Sequence, residues 1–217
     1  NAIKKQEKSW LVTTKEKQFV CDAVVMAAGS SRKVWDLSKS LGHTIISPVP
    51  SLFTFNIKDD RIKDLSGISV SNATIKLIDT NLEALGPLLI THWGLSGPAI
   101  LKLSAFGARV LAAKNYEYQV QINWLSQPAN EILDTLVNLK NKQPKKQVIV
   151  HSPFKEIPKR LWERFVLASH IHVGNNWADL SHIQIDNLTR QLTKAVYTAK
   201  GKSTFKEEFV TAGARGH

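Results

Sequence analysis

The sequence predicts an α+β fold in which a small sheet or barrel of short strands is combined with a helical part. Three patterns in the 217 residues support this prediction. Residues 18–41 read as strand, small-residue turn and helix, which is typical of a parallel α/β unit. Short strands separated by turn residues follow from Pro48 onward, and apolar residues recur at helical spacing beyond Pro128.

The N-terminal segment is predicted to form a hairpin followed by a helix. Its apolar run from Ala23 to Ala28 ends at Gly29, which indicates a fully buried parallel strand entering a tight turn. Gly42 is placed to stop the helix, since glycine adopts the left-handed conformation that ends many helices. The predicted elements are strands at Trp10–Thr14 and Gln18–Ala27 and a helix at Val34–Leu41.

The middle of the chain is predicted to form a small sheet or barrel with one helix. Pro98 fits the first turn of that helix, because proline there loses no needed N–H donor. Tyr118, Val120, Ile122 and Trp124 alternate with polar residues, as in a strand with one buried face. The predicted elements are strands at Leu52–Lys58, Thr74–Ile78, Pro87–His92 and Glu117–Trp124 and a helix at Ala99–Ala113.

The remainder is predicted to be helical and then to return to strands. Apolar residues at i, i+4 spacing mark the helices, and Pro158 suits the first turn of the second one. The predicted elements are helices at Glu131–Leu139, at Lys159–Ala168 and from near Leu180, and strands at Lys194–Ala199 and Thr204–Thr211.

Composition limits the classes of function. The single cysteine, Cys21, excludes a disulfide framework or a cysteine metal site. No apolar run is long enough to span a membrane and the N-terminus is unlike a signal peptide, so we expect a cytoplasmic protein. The formal net charge of +11 is compatible with an anionic partner, although most basic surfaces are simply solvated.

The segment from Thr91 to Gly97 holds the polar residues that we consider for a substrate site: Thr91, His92, Ser96 and Gly97. Histidine can act as an acid or base near neutral pH, but His92 equally suits a structural hydrogen bond. Free N–H groups after Gly97 could bind an anion, or Ser96 and Gly97 could simply cap the helix. The spacing excludes a nucleophile elbow, and His170, His172 and His182 do not have the spacing of a metal site.

Three segments, which occur in the same order as in a known family, carry a resemblance to it. They are Val24–Gly29 with the stretch to Leu52, the run from Gly86 to Ser104 that contains Thr-His-Trp-Gly-Leu-Ser-Gly-Pro, and Phe209–Gly213. Together they resemble the BaiN-like family of NAD(P)/FAD-dependent oxidoreductases, which are bacterial flavoproteins. In that family, an insert made of a β-barrel and a helical subdomain interrupts an FAD-binding domain of Rossmann type.

The resemblance implies a domain organisation. Residues 1–50 would be part of the FAD-binding domain, and residues 209–217 would begin the return to it. Residues 51–208 would be the insert, with the barrel at about 51–127 and 193–208 and the helical subdomain at about 128–192. The expected fold class is therefore α+β, a small β-barrel plus a helical subdomain with remnants of an α/β domain at its edges.

The resemblance also implies a cofactor and its contacts. Ala27, Ala28 and Gly29 would pass close to FAD, and Thr211 and Gly213 would mark the second crossing into the flavin domain. The chain lacks the G-x-G-x-x-G turn that binds the FAD pyrophosphate. We therefore expect an internal piece of a flavoprotein, holding no FAD by itself and completed by the remaining parts of the same protein.

Two functions follow from these observations. In the first, the insert covers the flavin and the site of a small-molecule substrate, while FAD, with NAD(P)H as the second cofactor, performs the redox chemistry. In the alternative, the chain is a basic nucleic-acid-binding module without enzymatic activity. Its contacts would come from the helical part: Lys140, Lys142, Lys145, Lys146, Lys155, Lys159, Arg160 and Arg164.

Overall fold

The computed structural model describes residues 2–29, 31–202, 210–212 and 215–216. The chain divides into two compact units. One unit comprises residues 51–208, and the other comprises residues 1–50 together with 209–217. Every strand pairing in the described residues is antiparallel.

The smaller unit contains an antiparallel sheet, a helix and two short strand pairs. The sheet has the order β1-β2-β3, and its second hairpin turns at residues 15–17, as the sequence predicts. The predicted helix is present as α1, and Gly42 follows it with a φ of +89°. The elements are β1 Ala2–Lys5, β2 Trp10–Thr13, β3 Gln18–Cys21, α1 Arg32–Ser40, β4 Thr44–Ile45, β5 Val49–Pro50, β12 Thr211–Ala212 and β13 Arg215–Gly216.

The prediction of a strand through Gln18–Ala27 is wrong beyond Cys21. Residues 23–28 have no regular secondary structure, and Val25 is 88% exposed. A parallel strand needs hydrogen-bonded neighbours and covered faces, and the described part of the chain supplies neither for this run. The extra strand β1 was not predicted, because its four residues show no clear alternation.

The larger unit is built on a closed six-stranded barrel with the order β10-β11-β6-β9-β8-β7. The inward residues of β10 alternate, as predicted, with Tyr118, Val120 and Ile122 buried. Partner strands contribute aromatic and aliphatic side chains to the same core, among them Phe55 and Ile75. The elements are β6 Phe55–Ile57, β7 Ser69–Leu77, β8 Glu83–Ile90, β9 Gly94–Ser96, β10 Glu117–Asn123 and β11 Ala195–Lys202.

Two helices lie between β9 and β10 where the sequence predicts one. The helix α2, Pro98–Phe106, ends at Gly107, and α3, Ala108–Ala113, begins immediately after it. The break reflects the weak helix propensity of glycine. The apolar stripe itself is confirmed, since Ile100, Leu103, Ala108 and Leu111 are buried.

The helical part follows β10 and packs around a tryptophan-rich core. Trp162 donates its indole N–H to the carbonyl oxygen of Val148 at 2.8 Å, and its ring lies 6.5 Å from that of Trp177. Ser181 begins the last helix with a capping box, exchanging hydrogen bonds with Gln184. The elements are α4 Ala129–Lys142, α5 Lys159–Ala168, a 3₁₀ turn at Trp177–Asp179 and α6 His182–Thr193.

The predicted pair of C-terminal strands is only partly described. The first does not end at Ala199 but continues as β11 to Lys202, pairing with β10 and β6. The second, predicted at Thr204–Thr211, lies mostly outside the described residues, apart from its end. The prediction of an α+β fold with a β-barrel and a helical part is confirmed.

No helix among the described residues is long and apolar enough to cross a membrane.

Candidate functional site

A charged pocket lies on the larger unit, between the loop after β6 and the turn between β8 and β9. Its volume is about 670 Å³. Thr91 and His92, two of the residues predicted for a substrate site, line it. The pocket is therefore a polar site formed by two segments that are distant in sequence, the turn between β8 and β9 and the charged loop after β6. Its other lining residues are Ile57, Lys58, Asp59, Asp60, Ile62, Lys63, Asp64, Ser66 and Gly94.

The turn from Thr91 to Gly94 is held by several hydrogen bonds at once. The amide of Thr91 donates to the carbonyl oxygen of Gly94 at 2.8 Å. The Thr91 hydroxyl oxygen accepts from the amides of Trp93 at 3.3 Å and Gly94 at 3.2 Å. Thr91 therefore has a structural role in the turn, which leaves the exposed side chains of His92 and Trp93 to face solvent.

Gly94 allows this turn to lie against β6. The register pairs Asn56 with Gly94, and the amide of Ile57 donates to the carbonyl oxygen of Trp93 at 2.9 Å. Any Cβ on Gly94 would overlap the carbonyl oxygen of Phe55, and the φ of +146° is one that L residues rarely adopt. The glycine thus determines how closely the turn approaches the loop that follows Ile57.

Arg61 and Asp59 fix the conformation of that loop. The guanidinium donates to both carboxylate oxygens of Asp59, at 2.8 and 2.7 Å, and Arg61 also donates to Gln191 of α6 and to the carbonyl oxygen of Val196 in β11. Its Cζ atom lies 3.9 Å from the centre of the Tyr197 ring. The Arg61 side chain therefore connects the pocket loop to α6 of the helical part and to β11 of the barrel.

The electrostatics of this pair follow from its partial burial. Burial disfavours both charged forms, but the hydrogen bonds from Arg61 outweigh it and hold the pKa of Asp59 below its ordinary value. For Arg61, burial likewise opposes the charge, yet the hydrogen bonds with Asp59 raise its pKa. Both groups are therefore charged at neutral pH.

Ser96 and Gly97 are not among the described residues that line the pocket. Ser96 accepts a hydrogen bond from the Thr54 hydroxyl at 3.1 Å. Gly97 is the N-cap residue of α2, with a φ of +98°, and Pro98 occupies the first turn. A Cβ on Gly97 would lie 2.8 Å from the carbonyl oxygen of Pro87, so glycine is required for packing. Gly97 therefore caps α2 and packs closely against β8, while Ser96 ends β9 and bonds to Thr54.

The predicted flavin contacts at Ala27, Ala28 and Gly29 lie in an exposed segment of the smaller unit. Gly29 has a φ of +58°, and a Cβ built on it would meet nothing within 4 Å. The segment leads into α1, whose first turn contains no acidic residue. Open space beside small residues, followed by a helix N-terminus, is compatible with the approach of a phosphate-bearing cofactor such as FAD.

Thr211 lies in the same unit, on the short strand that pairs with β5. It lines a pocket of about 660 Å³ that also contains Arg32 and Lys39, which supply positive charge. These residues fit a contact with an anionic group, so they too are compatible with FAD. The fifth predicted contact, Gly213, lies outside the described residues. The other residues that line this pocket are Trp35, Asp36, Ile45, Ser47 and Pro48.

The histidines offer no metal site in the part of the chain that the structure describes, where no group of three or more His, Cys, Asp or Glu could hold an ion.

The basic residues of the helical part differ in the groups that they contact. Lys140 donates to the carbonyl oxygen of Leu180. Arg160 and Arg164 donate to the carbonyl oxygens of Asp64 and Lys63, at 2.6 and 3.3 Å, so they lie against the pocket loop.

The loop at residues 58–66 was not predicted as part of a site. Its run Lys58-Asp59-Asp60-Arg61 was visible as a charged turn, but charged turns are common on protein surfaces. The signal that places it beside His92 is the pairing of β6 with β9, which cannot be read from either segment alone.

Comparisons with known proteins support the family resemblance that the sequence motifs carry. Residues 49–210 match the family described as the HI0933-like protein barrel and H2TH domain. The match covers the barrel strands β6 to β11 and the helices α2 to α6.

Two curated proteins are similar along nearly the whole chain. The 3-dehydro-bile acid delta(4,6)-reductase of Clostridium scindens is 24% identical over 225 residues, which cover 98% of this chain and 54% of that protein. The ribosomal RNA dihydrouridine synthase of Haemophilus influenzae is 23% identical over 206 residues, which cover 90% of this chain and 48% of that protein. The chain thus spans about half the length of the curated relatives it matches.

Proposed function

The chain belongs to the HI0933-like family, and from this membership we propose that it is part of an FAD-dependent oxidoreductase. The observation that carries the proposal is the family match through the barrel and helices, joined to two relatives whose names describe related chemistry. A delta(4,6)-reductase and a dihydrouridine synthase both add hydrogen across a carbon–carbon double bond. Such reductions are typical of flavin cofactors.

Within this proposal, the residues of the smaller unit would contact the cofactor. Ala27, Ala28 and Gly29 leave open space for it, while Arg32 and Thr211 line a pocket with positive charge. FAD held there, once reduced by NAD(P)H, would supply the hydride that reduces the substrate double bond. The larger unit would bind the substrate, and His92 in its pocket is a candidate proton donor.

RNA is the substrate class that the observations favour over a steroid. A steroid nucleus is bound in a largely apolar cavity. The described pocket beside His92 is instead mostly polar, with two lysines, three aspartates, a serine and a threonine against two isoleucines, so its lining opposes an apolar substrate without itself favouring an anion. The net charge of +11 also favours a polyanionic substrate. One relative acts, by its name, on ribosomal RNA, so we propose a base in RNA as the group that is reduced.

Flavin content tests the proposed cofactor. The protein expressed from its complete open reading frame is expected to purify yellow and to lose its visible absorbance when NADH or NADPH is added without oxygen. Replacing Gly29 with valine is expected to lower the flavin content, because a branched side chain would occupy the open space at a left-handed position. Gly67→Val is the matched control, since Gly67 also has positive φ and open surroundings but lies in the larger unit.

A colourless protein that takes up no added FAD would contradict the proposal. If such a colourless protein bound RNA at physiological salt, the alternative of a nucleic-acid-binding module without redox activity would replace the oxidoreductase. Equal flavin loss in the Gly29 and Gly67 variants would remove the residues at 27–29 from the cofactor contacts while leaving the function in place.

A further inference from the structure

The segment from Lys140 to Val148 is strongly basic. It contains four lysines and no acidic residue, and it runs from the last turn of α4 into the loop that follows. The ammonium group of Lys140 donates to a backbone carbonyl oxygen. Lys142, Lys145 and Lys146 are exposed, and within the described residues their side chains form no hydrogen bond or ion pair. Three positive charges are therefore directed to solvent without a partner in the described part of the chain.

A second segment packs against this one through backbone hydrogen bonds. Residues 170–178 follow α5 and also contain no acidic residue. The amide of Trp177 donates to the carbonyl oxygen of Lys146 at 3.0 Å, and the amide of Ala178 donates to that of Pro144 at 3.0 Å. Because these bonds join backbone atoms, they hold the two segments side by side and leave the polar side chains available to a partner.

Residues 140–148 and 170–178 together are called the lysine surface. Most basic runs on proteins are simply solvated, but here the fold places a second segment without acids beside the first, so the positive charge is not offset within the surface. Asp179, which follows, accepts a hydrogen bond from the amide of Asn176 at 2.7 Å in a capping box. Amide side chains, which can contact phosphate and sugar oxygens, accompany the lysines: Asn141, Gln143, Gln147, Asn175 and Asn176.

The charge of the lysine surface differs from that of the pocket beside His92. The two lysines that line the pocket are accompanied by three aspartates, whereas the lysine surface contains four lysines and no acidic residue. Both belong to the larger unit. A polyanionic substrate would therefore be attracted to the lysine surface, while the pocket would take its reacting group.

We propose that the lysine surface binds the sugar–phosphate backbone of an RNA stem. This inference rests on the proposed function, because it assigns where the RNA substrate is held outside the pocket. Lys142, Lys145 and Lys146 contact phosphates. The surface exposes no Trp, Tyr or Phe ring on which a base could stack, since Trp177 is buried. Contacts of this kind recognise a paired stem by its shape and charge, independently of its base sequence.

Fluorescence anisotropy with a fluorescein-labelled RNA hairpin tests the inference on the protein from its complete open reading frame. The double variant Lys145→Gln, Lys146→Gln is expected to weaken binding on the order of tenfold at physiological salt. It should also reduce the slope of log affinity against log salt by about two, because two phosphate contacts are lost. The matched control is Lys15→Gln, Lys17→Gln, which removes the same charge from exposed lysines in the turn between β2 and β3. This control is expected to leave the slope nearly unchanged.

The second segment of the surface has its own readout. A Cβ built on Gly174 meets nothing within 4 Å, so the fold can accommodate a longer side chain there. Gly174→Glu places a negative charge in the lysine surface and is expected to weaken hairpin binding several-fold. Gly174→Gln has the same size without the charge and is expected to bind like the unchanged protein. Equal losses in these two variants would contradict the part assigned to residues 170–178.

The outcomes separate this inference from the proposed function. Equal changes in the two double-lysine variants, or no hairpin binding by the unchanged protein at physiological salt, would overturn the RNA surface, whatever the flavin content. So would equally tight, lysine-dependent binding of a poly-glutamate peptide of the same charge, which would indicate a surface for acidic proteins. If hairpin affinity depended on Lys145 and Lys146 but the protein held no flavin, the surface would stand and the oxidoreductase would fall. Circular dichroism of each variant verifies that the fold is retained.

Discussion

Replacing Gly94 with alanine is expected to lower the free energy of unfolding by about 3 kcal/mol or more. The new Cβ would overlap the carbonyl oxygen of Phe55 and lie 2.5 Å from the amide nitrogen of Ile57. Both atoms belong to the backbone of β6, so neither can move aside as a flexible side chain would. The φ of +146° adds strain. Urea unfolding followed by circular dichroism measures the loss.

Gly174 provides the matched control. A Cβ built on Gly174 meets nothing within 4 Å, so Gly174→Ala is expected to change the free energy of unfolding by about 0.5 kcal/mol or less. If Gly94→Ala were equally mild, the close pairing of β9 with β6 would be wrong, and with it the position of His92 and Trp93 beside the loop at residues 58–66.

The second large effect is expected from Arg61→Met, which keeps the aliphatic stem and removes the charge. It leaves the carboxylate of Asp59 without its charged partner, with only the backbone amide of residue 61 still donating to it, and removes hydrogen bonds to Gln191 and Val196. The side chains of Arg61 and Asp59 are only 17% and 23% exposed. Removing one member of such a pair should lower the free energy of unfolding by about 3 kcal/mol.

A surface pair serves as the control for this change. The Nζ atom of Lys114 lies 3.8 Å from the Oδ2 atom of Asp79, and the two side chains are 34% and 80% exposed. Water screens such a pair, so Lys114→Met is expected to cost about 0.5 kcal/mol or less. Equal losses from the two methionine variants, measured by urea unfolding, would show that Arg61 does not organise the pocket loop.

The lowered pKa of Asp59 gives the Arg61 interaction a pH dependence. A carboxyl group whose folded-state pKa is below its unfolded value stabilises the protein above the unfolded value, which is ordinarily 3.8 for this residue. That stability is lost as the pH falls below 3.8 and through the lower folded pKa. The cost of Arg61→Met should therefore shrink in acid, where Asp59 is protonated in both states.

Much of the barrel and helical fold could be predicted because its local patterns agree with its packing. The alternation along β10 and into Trp124 correctly identifies the alternate residues from Tyr118 onward as buried. The apolar stripe through α2 and α3 likewise identifies the buried face of these helices. The prediction was wrong for residues 23–28, where an apolar run has no strand partners in the described chain. An apolar run predicts burial only if a neighbouring strand is there to cover it.

The candidate site could be predicted only in part. Thr91 and His92 do line the pocket, but the motif alone could not separate them from Ser96, which bonds to Thr54, and Gly97, which caps α2. The loop at residues 58–66 was missed, because it joins the site through strand register between distant segments.

Reoxidation of the reduced flavin by substrate would test the proposed reductase most directly. The protein from its complete open reading frame would be loaded with FAD, reduced without oxygen and mixed with an RNA hairpin that has a uridine-rich loop or, separately, with a 3-dehydro bile acid. We predict that the hairpin restores the visible absorbance of the flavin and gains two hydrogens by mass spectrometry, while the bile acid does neither. Reoxidation by the bile acid alone, or by neither compound, would contradict an RNA-directed reductase.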